Sequence, residues 1–379
     1  MSGIYIHIPF CASRCIYCDF YSTTLKGKAH EYVDAVLKEY KERSDFLPVR
    51  EPLRTVYIGG GTPSQLPAFE LRRLLDSITA NKQDLEEITV EANPEDVTQD
   101  WIESLIYQPS TIGYKHLTVN RISMGIQSLD DQELKTLNRR HNSNQPAQAV
   151  SILRNAGIKN ISLDLMYGLP GQTMHSWEKS IDGIIALNPE HISAYCLSIE
   201  EGTLMEKLVS EGKLVPANDE LCNSMAQLLR SKLHKAGYIQ YEISNYAKPG
   251  YESKHNSSYW DNTAYLGLGP GAHSYDGRNT RCWNSPDLNS YLVGDRKHDY
   301  ETLSAKDIFN ERIMLGLRTR NGVSLSIINT CSDKEKLRFA QLIQTLTARN
   351  LVHTINNNLV LTQHGLNLAD EVIRDLMID

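Results

Sequence analysis

The 379-residue sequence has no apolar run approaching the roughly 20 residues that span a bilayer, so no transmembrane segment is expected. It also lacks the basic start and small-residue cleavage site of a signal peptide. Its first apolar stretch, Ile4 to Phe10, is short, is interrupted by His7 and Pro9, and reads as a first strand. Basic residues are not in excess: a formal charge of -7 argues against the cationic face that phosphate neutralisation requires, and nucleic acid is not an expected partner. Cysteine is sparse and odd in number, seven residues without a secretory context, which fits a reducing, cytoplasmic setting rather than a disulfide framework. No Cys-x-x-Cys-His run and no Cys-Pro pair occurs, so covalent c-type heme attachment has no motif here.

Single cores stop growing near roughly 250 to 300 residues, so this length predicts two or three domains. Up to about residue 200, short β-rich apolar runs alternate with stretches of helical periodicity, the pattern of βα units around a parallel sheet. Six strands are expected, at Ile4–Ile8, Thr55–Ile58, Ile88–Glu91, Arg121–Gly125, Ile161–Met166 and His191–Leu197. Helices are expected between them, including 29–43 and 147–156. The fold class is α/β, and six strands are too few for a closed eight-stranded barrel, leaving a partial barrel or an open parallel sheet. The expected units are a barrel over 1–215, an extension over 216–300 that opens with a helix near Asp219–Ala236 and then turns loop-rich, and a separable block over 301–379. In that block two helices precede a strand pair around Asn356-Asn357-Asn358, which suggests a winged-helix-like unit.

Both architectures place ligand chemistry at the C-terminal strand ends, and those ends are polar here. They carry the cysteine loop after the first strand, Gly59-Gly60-Gly61-Thr62-Pro63, Glu91-Ala92-Asn93-Pro94-Glu95, Gln127, and Tyr167-Gly168-Leu169-Pro170-Gly171. Cys11, Cys15 and Cys18, spaced Cys-x3-Cys-x2-Cys, supply three thiolates suited to three corners of a cubane and leave a fourth iron without a protein ligand. A structural zinc site is the alternative, but it takes four ligands, and neither His7 nor His30 completes a familiar zinc spacing. Gly60, Gly61 and Thr62 suit close backbone approach to a bound amino acid moiety, and equally a plain tight turn. The other four cysteines, Cys196, Cys222, Cys282 and Cys331, are expected to be small buried hydrophobes.

The run His7-Ile8-Pro9-Phe10-Cys11-x3-Cys15-x-Tyr17-Cys18-Asp19-Phe20 resembles the radical S-adenosylmethionine superfamily, and within it the coproporphyrinogen dehydrogenase branch. The likeness continues through Gly-Gly-Gly-Thr-Pro, Glu91, Ile126-Gln127-Ser128, Asn138-Arg139-Arg140-His141 and Asp164 to Pro170. It implies a partial (β/α)6 barrel with a C-terminal winged-helix-like accessory domain. It also implies a 4Fe-4S cluster that passes an electron into S-adenosylmethionine and yields a 5'-deoxyadenosyl radical. Tyr5 and Tyr17 resemble the family's aromatic contacts to the cofactor, and Glu91, Gln127, Arg139 and Asp164 match positions that hold its ribose, amino and carboxylate groups.

Two departures separate the chain from the porphyrinogen enzymes. Phe20 stands where those relatives carry a further cysteine, and only four residues precede Tyr5, where they have an extension. The short start and the run His255-Asn256-x-x-Tyr259-Trp260 instead resemble HemW-type heme chaperones, which bind heme and pass it to acceptor proteins. That resemblance implies heme as a further ligand, a heme-acceptor protein and an electron donor as partners, and a heme contact through His255, Asn256, Tyr259 and Trp260. An imidazole can ligate iron, and two aromatic faces can pack on a porphyrin. His273, in a glycine-rich loop, is a second imidazole of this kind. The alternative expectations are an oxygen-independent coproporphyrinogen III dehydrogenase, or a radical enzyme acting on another substrate. Whether S-adenosylmethionine is turned over is left open.

Overall fold

The computed structural model describes residues 2–48, 52–80, 82–106 and 118–378. All six expected strands occur within two residues of their expected bounds: β1 (Ser2–Ile8), β2 (Leu53–Gly60), β3 (Glu87–Ala92), β4 (Arg121–Gln127), β5 (Asn160–Tyr167) and β6 (His191–Cys196). They pair in parallel in that order, which requires a crossover between successive strands. The crossovers include the helices Ala29–Glu42, Ala68–Thr79, Gln99–Ile106, Gln145–Asn155 and Met174–Ala186.

Side chains alternate across these strands and divide the sheet into two chemically distinct faces. One face carries Ile4, Ile6, Ile8, Val56, Ile58, Ile88, Val90, Ile122, Met124, Ile161, Leu163 and Ile192, all buried in the main core with the helices. Each such side chain contributes about 1.5 to 3 kcal/mol of burial, so this layer holds the barrel together. The opposite face is polar, with Thr55, Glu87, Thr89, Arg121, Ser123, Ser162, His191 and Ser193 buried on it. A polar interior of this kind is a place for a ligand and not for packing alone.

The stretch expected to be loop-rich is more ordered than its sequence suggests. β7 (Ile239–Gln240) and β8 (Asn245–Ala247) extend the β6 edge in antiparallel fashion. β9 (Ala264–Leu268) pairs in parallel with β1, and antiparallel β10 (His273–Tyr275), β11 (Thr280–Asn284) and β12 (His298–Thr302) follow, giving a mixed sheet of twelve strands. The buried carboxylate of Glu39 pins this extension to the first helix. It accepts hydrogen bonds from Arg43 (2.9 Å), the Gly269 amide (3.0 Å), Asn284 (2.8 Å) and the Tyr291 hydroxyl (2.6 Å).

The C-terminal block has its own core around Phe309, Ile313, Leu317, Phe339, Leu346 and Val372. A three-stranded antiparallel sheet, β13 (Val323–Ser324), β14 (Val352–Ile355) and β15 (Asn358–Leu361), packs with the helices Ala305–Leu317, Asp333–Ala348 and Ala369–Leu376. Asn356 and Asn357, both at positive φ (48° and 63°), make the two-residue turn between β14 and β15. Among the described residues no helix is long and apolar enough to cross a membrane. Of the four scattered cysteines only Cys282 is fully buried; Cys222 and Cys331 are half-buried and Cys196 is exposed, so the buried-hydrophobe expectation fits Cys282 alone.

Candidate functional site

The cysteine loop leaves the C-terminal end of β1 and is stapled at its base by backbone bonds from Cys11 to Thr23 (2.9 Å) and from Thr23 to Pro9 (2.7 Å). Its far side is fixed to other elements. Ile16 donates to Leu137 and accepts from Met205, while the Asn138 side chain donates to the Arg14 carbonyl at 2.8 Å. Ile16, Leu137, Met166, Leu169 and Met205 form a small apolar cluster beneath this contact. The Cys11 thiol lies 3.4 Å from the Thr62 hydroxyl, and the Arg139 guanidinium donates to the Cys15 sulfur at 3.5 Å. Burial pushes the Cys11 thiol up, opposed by its bond to Thr62, and pushes Cys18 up to about 11. Both thiols therefore hold their protons at neutral pH until a metal displaces them.

Directly against the thiols is a cavity of about 500 Å³. Its walls include Tyr17, Gly60, Gly61, Thr62, Glu91, Gln127, Arg139 and Asp164 together with all three cysteines. Glu91 accepts from the Tyr57 hydroxyl (2.7 Å) and the Gly60 amide (3.2 Å), and burial pushes its carboxyl up to about 7. Asp164 is likewise raised by burial, against bonds from Ser193, Ser123 and Ser162 and the charge of Arg121. Gln127 reaches the cavity because β4 slips register between Gly125 and Gln127 and leaves Gln127 at φ 67°. A left-handed backbone costs a non-glycine residue about 1 kcal/mol or more, and such departures gather at functional sites. Burial lowers the proton affinity of Arg139, but Tyr17 and Cys15 outweigh it and hold the guanidinium above its ordinary range. It also donates to Asn93 at 2.8 Å and, in a short contact, to the Gly125 carbonyl.

Three cavity residues not among the candidates read from the sequence are Ser123, Ser193 and Tyr195. The signal for all three is the strand alternation itself, since Ser123 sits two residues before Gly125 and Ser193 two before Tyr195 on the polar face. One expected cofactor contact is displaced. Tyr5 does not line the cavity; its hydroxyl pairs with His7 Nδ1 at 3.1 Å, one layer deeper in the barrel.

The segment expected to meet heme lies in a short helix, Lys254–Trp260, not in a polar loop, and only 1 % of the His255 surface is exposed. Both ring nitrogens are committed, Nδ1 to the Thr55 hydroxyl at 2.8 Å and Nε2 to the Tyr259 hydroxyl at 2.9 Å. No lone pair is left for iron in this arrangement, because the neutral ring has one donor and one acceptor and both are used. Asn256 lines the cavity, whereas His255, Tyr259 and Trp260 do not. His273 is placed differently. It is exposed at the start of β10, stacks on Trp283 (5.5 Å, 20°), and its ring has no hydrogen bond to another described residue.

A family model for the radical SAM superfamily matches residues 5–184, and one for the HemN C-terminal domain matches residues 303–368. The protein named heme chaperone HemW from Bacillus subtilis is 35% identical over 98% of this chain and 98% of its own length. Its namesake from Lactococcus lactis is 34% identical over 100% of this chain and 98% of its own. The chain belongs to the HemW family. The solved coproporphyrinogen III oxidase HemN from Escherichia coli shares its fold, with a TM-score of 0.80 at 21% identity, covering 99% of this chain and 90% of that one.

Membership of the radical SAM superfamily implies a 4Fe-4S cluster and S-adenosylmethionine, and the residues present fit both. Among the described residues no three Cys, His, Asp or Glu side chains close on a single ion. A structural zinc site takes four ligands, whereas three corners of a cubane need only the three thiols of this loop. Gly61 shows how little room is left beside it: a Cβ there would stand 3.0 Å from the Cys11 sulfur and 2.9 Å from the Ile8 carbonyl.

Proposed function

We propose that this chain is a heme chaperone, which carries a 4Fe-4S cluster on Cys11, Cys15 and Cys18, binds S-adenosylmethionine in the adjoining cavity, and passes heme to an acceptor protein. The observation that carries the cofactor part is the convergence of the three thiols, the Glu91 and Asp164 carboxyls and the Arg139 guanidinium on a single cavity. The chaperone part is supported by full-length likeness to proteins named heme chaperones.

The cluster, when bound, supplies an electron and an iron without a protein ligand. The chain's own residues supply the rest. Arg139 offsets the negative charge of the thiolates beside it, as a guanidinium that keeps its proton can do when buried. Gly60 and Gly61 leave their backbone open to a bound amino acid group, and Thr62 holds Cys11 in place. Glu91 and Asp164 present acceptors for ribose hydroxyls and an ammonium group, while Gln127 and Tyr17 close the remaining wall. Arg14, Asp19 and Phe20 are exposed at the rim, where an electron donor would approach. Heme contact through His255 requires the Lys254–Trp260 helix to leave the barrel, whereas His273 offers an exposed imidazole on an aromatic face without rearrangement.

The test is anaerobic reconstitution followed by two separate assays. Heme titration should give a Soret band that moves to an apo-hemoprotein on mixing, with His273→Ala weakening it while leaving cluster absorbance intact. Incubation with coproporphyrinogen III, reductant and S-adenosylmethionine should give no decarboxylated tetrapyrrole. Absence of any Soret band, or catalytic decarboxylation, would overturn the proposal in favour of a porphyrinogen enzyme.

A further inference from the structure

The Lys254–Trp260 helix occupies a place that suggests a task beside the cofactor. It enters the barrel from the N-terminal ends of the strands, where the Glu87 carboxylate accepts the amide hydrogens of Lys254 (3.0 Å) and His255 (3.0 Å). Its imidazole fills the bottom of the polar interior against Gly3, where a Cβ would stand 3.1 Å from the ring and 2.7 Å from the Thr55 hydroxyl oxygen. A Cβ at position 3 would clash with the Thr55 hydroxyl and crowd the ring, so Gly3 leaves room for both.

From there a connected set of contacts leads upward. The His255 ring lies against the Tyr57 ring at 5.1 Å and 26°, and the Tyr57 hydroxyl, at the far end of that ring, donates to Glu91 Oε1 at 2.7 Å. Asn256, the next residue of the helix, lines the cavity itself. We infer that the Lys254–Trp260 helix is the floor of the nucleoside cavity, and that Tyr57, backed by His255, is a positioning residue that aims the Glu91 carboxylate at the bound nucleoside. This rests on the proposal that Glu91 contacts S-adenosylmethionine.

The physical reasoning is one of a fixed acceptor. A carboxylate has about four lone-pair sites, and here one oxygen is held by Tyr57 and the other by the Gly60 amide, so its free lone pairs keep one direction. Without the phenol the carboxylate can swing, and its charge loses a donor that favours the ionised form. The ionisable groups facing it are Tyr57 from β2, Tyr5 from β1, Arg121 from β4, Asp164 from β5 and Tyr259 from the floor helix. Arg121 is the one cation among them; its Nε and Nη1 have no hydrogen-bond partner, so it acts on Glu91 only as a charge.

The experiment is calorimetric titration of S-adenosylmethionine into the anaerobic, cluster-loaded full chain, from pH 6 to pH 9, with cluster absorbance recorded for each variant. Glu91→Gln should weaken binding about tenfold, the size of one lost net hydrogen bond to a charged group. Tyr57→Phe, which removes one oxygen and keeps the stack, should weaken it about fivefold at pH 7 and move the midpoint of the binding-versus-pH curve upward. His255→Ala should act in the same direction more weakly, since the ring support goes while the phenol remains. If Glu91→Gln weakens binding while Tyr57→Phe leaves both affinity and pH midpoint at the wild-type values, the positioning role is wrong and the nucleoside assignment stands. An unchanged affinity in Glu91→Gln would remove the assignment itself and the inference with it.

Discussion

Replacing Glu91 by glutamine should stabilise the cofactor-free chain at alkaline pH even as it weakens nucleoside binding. The carboxyl is pushed from 4.5 up to about 7, chiefly by burial. Below 4.5 both folded and unfolded chains are protonated there, and the group costs nothing; above 7 the folded chain must hold a buried charge. Each tenfold change in proton affinity is worth about 1.4 kcal/mol, so the full penalty would approach roughly 3 kcal/mol. Water in the adjoining cavity screens part of it, because Glu91 is itself a wall residue, and leaves about 2 kcal/mol. Glutamine can accept from Gly60 through its oxygen and donate to the Tyr57 hydroxyl through its NH2, which leaves the Tyr57 O–H hydrogen without its acceptor, a pH-independent loss of about 1 kcal/mol. The two variants should therefore be about equally stable near pH 5.5, with Glu91→Gln ahead by about 1 kcal/mol near pH 8.5. Urea denaturation of the cofactor-free chain under reducing conditions at both pH values reads this directly. A difference that does not change with pH, or a variant less stable at pH 8.5, would refute the reasoning.

Three further outcomes are expected. Cys15→Ala removes one thiolate and the sulfur that Arg139 holds, so anaerobic reconstitution should yield no stable cluster absorbance while far-ultraviolet dichroism stays unchanged; a retained cluster would reassign Cys15. Gly61→Ala places a Cβ 2.9 Å from the Ile8 carbonyl, which is backbone and yields little, so iron incorporation should fall and stability drop by about 1 to 3 kcal/mol in denaturant titration. Glu39→Ala strands the Gly269 amide and the Tyr291 hydroxyl and takes one acceptor each from Arg43 and Asn284, which keep their bonds to Gly267 and Ser274 and to the Gly269 carbonyl. Loss of one side of a buried pair costs about 4 kcal/mol, and at an unfolding entropy of about 2 cal/mol/K per residue the melting temperature should fall by about 5 °C.

The cysteine loop and the six parallel strands were legible because their signals are local. Three thiols within eight residues belong to one loop whatever surrounds them. An apolar run flanked by a glycine triplet or by Asn-Pro ends as a strand followed by a turn. The two helices expected before the C-terminal strand pair also formed, and the structure shows Ser304 and Ser332 each capping one of them in a reciprocal box with the residue three positions on. The hairpin between them and the last helix rests on asparagines, which tolerate the left-handed turn at low cost.

What the chain order alone determined, then, is which groups stand at the ends of which strands: sulfur after β1, glycine after β2, carboxyl after β3, amide after β4. Only the tertiary structure decided that β9 lies beside β1, that Tyr5 sits below the cavity, and that His255 is buried in the barrel instead of facing solvent. The physical reason is the same in each case. Short strands such as β9 and β10 gain their stability from partners far along the chain, and a histidine's surroundings depend on which distant hydroxyls and rings close around it, neither of which leaves a periodic trace in the neighbouring residues.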